Sequence, residues 1–174
     1  MNEIQQRARA VKILVLDVDG VLTNGQLLML PTGEEIKAFH TLDGHGIKML
    51  QRVGILTAII TGRDAPATAA RVRQLGINHY FAGIADKAAA FAELLQRTAL
   101  QAADCAYVGD DVPDLPVLQQ VGFACAPPEA HATVRQAVHY ITQASAGYGA
   151  VREVCDMILS AQALCDANGE AHLA

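Results

Sequence analysis

The sequence predicts an α/β protein, a doubly wound parallel sheet with helices on both faces. Three observations carry this. Short apolar runs alternate with helical stretches of roughly ten residues along most of the chain. The runs are continuously apolar, as strands covered on both faces are, rather than alternating. The composition is 52% hydrophobic but only 5% aromatic, with no Trp in 174 residues, so Ala, Val, Leu and Ile must fill the core.

Residues 11–16 (VKILVL) end at Asp17 and are too few for a free-standing helix, so they read as a buried strand. Residues 27–39 hold an apolar arm, a Pro31-Thr32-Gly33 turn and a more polar arm, the pattern of a β-hairpin. Its first arm is too apolar for free exposure, and a partner surface is expected to cover it. Residues 46–53 carry Ile47, Leu50 and Val53 at helical spacing. A strand at 55–60 follows, then a helix at 66–75 stopped by Gly76. The alternation continues with a strand at 79–82, an Ala-rich helix at 87–98 and a strand at 105–108. A helix at 115–121, a strand at 122–126, a helix at 131–137, a strand at 139–141 and a closing helix at 150–164 complete it. The polar tail, 166–174, is expected to be mobile. Residues 1–174 read as one domain, with the hairpin as a flap and no linker.

Lys and Arg number 13 against 18 Asp and Glu, a net charge of −5. That balance argues against bulk binding to nucleic acid or to an acidic membrane surface. An anionic ligand would need local positive charge. The cysteines at 105, 125, 155 and 165 form no Cys-x-x-Cys pair and read as free thiols of a reducing compartment. The polar start lacks a secretory signal, and no stretch is long enough to span a bilayer. The expectation is a soluble cytoplasmic protein. Phosphate-loop, dinucleotide and nucleophile-elbow motifs are missing, and the only serines are Ser145 and Ser160.

In an open parallel sheet, ligands bind beyond the carboxyl ends of the strands. Asp17 and Asp19 follow the first strand. Thr61, Gly62 and Arg63 follow the second. Gly109, Asp110 and Asp111 follow the fourth, with Asp114 three residues on, and Lys87 opens the helix between. Carboxylates gathered at one sheet edge repel unless a cation joins them or protons are retained. A hard dication with oxygen ligands suits them, and Mg²⁺ is the usual choice beside phosphate. The simpler alternative makes Asp110 or Asp111 a helix cap.

These segments, Asp17-Val18-Asp19-Gly20-Val21-Leu22-Thr23, Thr61-Gly62-Arg63, Lys87 and Gly109-Asp110-Asp111-x-x-Asp114, resemble in order the four motifs of the haloacid-dehalogenase-like phosphohydrolases. The resemblance implies a Rossmann-type sheet order and assigns roles. Asp17 is the nucleophile and Asp19 the acid/base. Thr61 and Lys87 stabilise the transferring phosphoryl group. Asp17, the Asp19 backbone carbonyl and Asp110 hold Mg²⁺, while Asp111 or Asp114 orients Lys87 or a water. With about thirteen residues after the first motif, the chain resembles the capless branch. Such a site needs a neighbouring subunit to exclude water.

Residues 40–48 (HTLDGHGIK) and 146–153 (AGYGAVRE) further resemble the subfamily of 3-deoxy-D-manno-octulosonate 8-phosphate (Kdo 8-phosphate) phosphatases of lipopolysaccharide biosynthesis, which are homotetramers. That likeness implies substrate contacts at Asp19, His40, Thr41, Leu42, Asp43, Gly44, Lys48, Gly62, Arg63, Arg71 and Lys87. Many relatives have Arg where this chain has Leu42 and Tyr148. Phosphatases of nonulosonate 9-phosphates share the layout and stay open as an alternative, as does a non-catalytic relative acting as a binding or oligomerisation module.

Overall fold

The computed structural model describes residues 2–77 and 79–164. Ile13–Leu16 (β1) is buried at every position. Leu28–Met29 (β2) and Glu35–Ile36 (β3) pair antiparallel as the hairpin. Leu56–Ile60 (β4), His79–Phe81 (β5), Cys105–Val108 (β6), Phe123–Ala126 (β7) and Tyr140–Ile141 (β8) join β1 in a six-stranded sheet. Its order is β5-β4-β1-β6-β7-β8, and every pairing is parallel. The doubly wound expectation holds.

Side chains alternate across a strand, so each buried strand feeds two cores. Leu14 and Leu16 join Ile59, Val108 and Phe123 on one face. Four helices cover that face: Glu3–Arg9 (α1), Thr41–Arg52 (α2), Pro66–Leu75 (α3) and Ala150–Ala161 (α7). Ile13 and Val15 join Ala58, Ile60 and Tyr107 on the other. There Lys87–Thr98 (α4), Leu115–Leu118 (α5) and Ala132–Ala137 (α6) supply Phe91, Leu94, Val117, Leu118 and Val134. Burying each such apolar side chain is worth about 1.5–3 kcal/mol.

Several boundaries differ from expectation. α1 went unpredicted because its sequence is polar, yet Asn2 and Gln5 form a reciprocal capping box at its start. α2 begins at Thr41 rather than at 46, with His40 Nδ1 accepting from Leu42 N–H at 3.3 Å. Gly44 and Gly46 allow close packing inside the helix. A Cβ at Gly44 would lie 2.3 Å from an Arg71 nitrogen, and one at Gly46 would lie 3.0 Å from Cys155 Cβ. α5 keeps only four residues, the hairpin strands only two each, and α7 stops at Ala161. The tail, 166–174, and Cys165 lie outside the described residues. Among the described residues no helix is long and apolar enough to cross a membrane.

Candidate active site

From β1 the chain moves to β4 and β5, then crosses back to β6 on the far side of β1. The carboxyl ends of β1 and β6 therefore flank the crevice where the winding reverses, the place such sheets bind ligands. A cleft of about 440 Å³ opens there, lined by Asp17, Asp19, Thr61, Gly62, Arg63, Lys87, Asp110, Asp111 and Asp114, among others. The strand termini and the α4 start assemble what the sequence spreads over about a hundred residues.

The deepest part is a chain of buried charges. Lys87 Nζ lies 3.0 Å from Asp17 Oδ2 and 2.7 Å from Asp114 Oδ1. Tyr107, fully buried on β6, donates its hydroxyl to the same Asp114 oxygen at 2.7 Å. The other Asp114 oxygen accepts from the backbone N–H groups of Asp110 and Asp111, at 3.1 and 3.2 Å. Asp114 thus folds back over the Gly109 loop, where a Cβ on Gly109 would sit 2.6 Å from it. Lys87 is the first residue of α4, so its charge adds to the positive end of the helix dipole instead of cancelling it. Burial works to lower the Lys87 pKa, but the carboxylates of Asp17 and Asp114 outweigh it and the net shift is upward.

Asp17, Asp110 and Asp114 bring carboxylate oxygens within 4.8 Å of one another. Asp114 is fully engaged, which leaves Asp17 and Asp110. Burial, then the charge of Asp114, raises Asp17 to about 6. Burial, then the charges of Asp17 and Asp114, raises Asp110 to about 7. Asp110 Oδ1 is buried without a hydrogen-bond partner. Asp110 also presses on Gly20, at φ +87°, where a Cβ would lie 2.0 Å from its Oδ2. Hard oxygen ligands with unspent charge and an orphaned buried atom fit a small dication.

A second charged group lies on the hairpin side. Lys37, one residue past β3, has a side chain only 2% exposed and donates to Asp19 Oδ1. It also lies 3.0 Å from Glu35 Oε1, an ion pair without hydrogen-bond geometry. Arg63 donates to Glu35 Oε2 at 2.6 Å and lies 3.8 Å from Asp19 Oδ2.

Residues 29–122 match the haloacid dehalogenase-like hydrolase family. The chain is 45% identical over 161 residues to the 3-deoxy-D-manno-octulosonate 8-phosphate phosphatase of Yersinia pestis, covering 92% of this chain and 86% of that one. The chain belongs to the haloacid dehalogenase-like hydrolases. The crystal structure of the Yersinia pestis enzyme superposes with a TM-score of 0.92 at 45% identity, over 93% of this chain and 88% of that one. The Moraxella catarrhalis enzyme, solved with magnesium, phosphate and Kdo, gives 0.91 at 42% identity, over 94% of each chain.

Several residues expected to contact substrate do not line this cleft. Asp43 is 1% exposed and accepts from Arg152 N–H at 2.8 Å, so it caps α7 from α2 and does not face the cleft. Burial raises its pKa against the backbone donors at the α7 start. Arg71 donates to Gln74 and to the His40 carbonyl, and its guanidinium lies 5.8 Å from the Phe39 ring centre. Lys48 reaches towards Gly76, where a Cβ would lie 3.2 Å from its Nζ, at the far end of α3. Gly44 packs against Arg71. His40, Thr41 and Leu42 also lie outside the residues lining the cleft. Asp111 caps the turn after β6 by accepting from Val112 N–H at 2.8 Å, which leaves Asp114 to orient Lys87. Tyr107 and Lys37 were missed. One hides inside an apolar strand run, and the other sits in a hairpin read only for its turn.

Proposed function

We propose that this hydrolase is an Mg²⁺-dependent phosphomonoesterase that converts Kdo 8-phosphate to Kdo and inorganic phosphate in the cytoplasm, for lipopolysaccharide sugar synthesis. The observation that carries it is the buried Asp17–Lys87–Asp114 chain beside the unspent carboxylate of Asp110, at the reversal of the sheet. The high-coverage likeness to Kdo 8-phosphate phosphatases supports the substrate.

An Asp17 oxygen attacks phosphorus as the bond to the sugar oxygen breaks, giving an aspartyl-phosphate and an alkoxide that takes a proton from Asp19. Asp19 then removes a proton from water. The water oxygen attacks phosphorus, and the acyl-phosphate bond breaks to return Asp17 and release phosphate. Lys87 keeps Asp17 in place and balances charge on the phosphoryl oxygens, and Thr61 donates to one of them. Asp17, Asp110 and the Asp19 carbonyl would hold Mg²⁺, which supplies charge neutralisation between nucleophile and phosphate. Gly62 and Arg63 at the cleft rim contact the substrate.

The hairpin is the flap of a single catalytic domain, and it is also the assembly surface. Leu27, Leu28, Met29 and Ile36 are about half exposed, too much apolar area for a free edge. We assign it to a homotetramer interface. His40, Thr41 and Leu42 reach substrate only where a second subunit brings them to a cleft.

The test is Mg²⁺-dependent phosphate release from Kdo 8-phosphate, a nonulosonate 9-phosphate and a panel of sugar phosphates, with Asp17→Asn as control. Fast release from Kdo 8-phosphate, abolished in the control, is expected. Preference for the nonulosonate would transfer the substrate and keep the mechanism. No release from any compound would overturn the enzyme reading in favour of a binding module.

A further inference from the structure

The hairpin–cleft junction holds four alternating charges: Lys37 and Arg63 against Asp19 and Glu35. The formal sum is zero, but the burial is unequal. The Lys37 side chain is 2% exposed and that of Arg63 46%. A lysine end seldom goes inside unless its charge is paired, because an ammonium loses its hydration there. Here an entire hairpin arm brings it in. β3 ends at Ile36, an exposed residue, and the Lys37 side chain turns inward from the next position. Its ammonium reaches the one carboxylate of the first motif that Lys87 does not hold.

We infer that Lys37 is a positioning residue for phosphoryl transfer: from the hairpin it fixes the Asp19 carboxylate in the orientation from which Asp19 serves the leaving oxygen. This rests on the reading of Asp19 as the acid/base. Asp19 sits in a turn after β1, outside any strand or helix. Lys37 takes one carboxylate oxygen and Arg63 lies near the other, so the carboxylate plane is held from two sides. Glu35 holds both cations in turn and links them across the hairpin. The exposed apolar side of the same hairpin then has a mechanistic consequence. Whatever packs on Leu28 and Ile36 also sets where Lys37 stands, so assembly and proton transfer share one element.

The experiment exploits leaving-group chemistry. A sugar alkoxide needs a proton as it departs, whereas p-nitrophenolate leaves without one. kcat/KM reports the steps through departure of the leaving group, so it isolates this proton transfer. In Lys37→Met, kcat/KM for Kdo 8-phosphate should fall by about ten-fold or more, a fraction of what general acids contribute. For p-nitrophenyl phosphate it should change by no more than about three-fold. Lys37→Arg should recover most of the loss, because it keeps a long cationic side chain. The double variant Glu35→Gln/Lys37→Met removes one charge of each sign and is read the same way should the single variant fold poorly. Adding Lys37→Met to Asp19→Asn should cost nothing further, since Lys37 acts through Asp19.

Equal losses on both substrates, or a full extra loss on the Asp19→Asn background, would overturn the assignment and leave Lys37 a structural ion pair. No loss on either substrate would overturn it as well. The two readings fail separately. If Asp19→Asn itself shows no leaving-group selectivity, the acid/base reading is wrong. If Kdo 8-phosphate is not hydrolysed at all, the substrate is wrong, and Lys37 is measured on whichever sugar phosphate the enzyme does hydrolyse.

Discussion

Two charged clusters meet in one cleft, and they are built on opposite principles. At the ends of β1 and β6, Asp17, Asp110 and Asp114 face one buried cation, Lys87. On the hairpin side, two acids face two bases. The first cluster is buried and short of positive charge, and burial first, then the neighbouring carboxylates, raise Asp17 to about 6 and Asp110 to about 7. The second is balanced. A charge deficit prepares a site to receive something, here a dication and a phosphoryl group. A balanced cluster fixes geometry. Asp17 and Asp19, the proposed nucleophile and acid/base, stand two residues apart in sequence, yet each is held by a different cluster.

The sharpest way to break this contrast is at the one cation of the deficient cluster. Lys87→Ala should lower kcat by roughly 10²–10³-fold. It leaves three carboxylates with no ammonium, so the Mg²⁺ requirement should change along with the rate. A Mg²⁺ titration of phosphate release checks both, and an unchanged kcat would remove Lys87 from the transition state.

The deficit also predicts a pH dependence for the metal-free protein. The folded pKa values of Asp17 and Asp110 lie above the ordinary carboxylate value of 3.8. Their contribution to stability is therefore fully present below that value and is lost as pH rises through about 6 to 7. A bound dication takes the place of the protons. The Mg²⁺-induced rise in thermal midpoint should be small near pH 5 and reach several degrees by about pH 8. Thermal melts with Mg²⁺ or with a chelator check this, and a pH-independent rise would contradict the deficit.

Asp43 offers an internal control, since it is a buried carboxylate with a raised pKa and a different task. As the cap of α7, its change to Ala should cost about 0.5–2 kcal/mol. In a chain of this length that lowers the melting midpoint by a few degrees. Reduced stability with KM for Kdo 8-phosphate held within about two-fold is expected. A large KM change at unchanged stability would return Asp43 to the substrate site.

The smallest effect belongs to Tyr107. Its hydroxyl is one of four donors to Asp114. Tyr107→Phe removes one of these four hydrogen bonds and leaves the other three, so Asp114 stays held and the effect on rate is small. A fall in kcat of a few-fold, with KM unchanged, would show that Asp114 transmits position to Lys87.

The parallel sheet was legible in the chain's own residues, and its strand order and the reaction class through the family resemblance of its motifs. Continuous apolar runs become strands because both faces are covered, and the residues that follow them project from one edge. Asp17, Thr61 and Asp110 follow strands by that rule, Lys87 came from the family resemblance as the opening of a helix, and all four line one cleft. The residues expected to contact substrate obeyed no such rule. Asp43, Lys48 and Arg71 lie on α2 and α3, where the helix face that each residue presents is set by packing against α7 and between the two helices. That packing turns Asp43 into a cap and engages Arg71 with the α2 start.

By itself, the sequence determined what is local and periodic: the alternation of elements, the sheet edge that carries the chemistry, and the residue types gathered there. Tertiary structure alone decided which charges pair. Pairing depends on distances of a few ångströms between segments tens of residues apart, and those are set by how helices and the hairpin dock. Lys37 reaches Asp19 across 18 positions, and Tyr107 and Lys87 converge on Asp114 from different elements. A carboxylate's task follows from its partners, so sequence spacing could identify the acids, but only the docked elements could divide their labour.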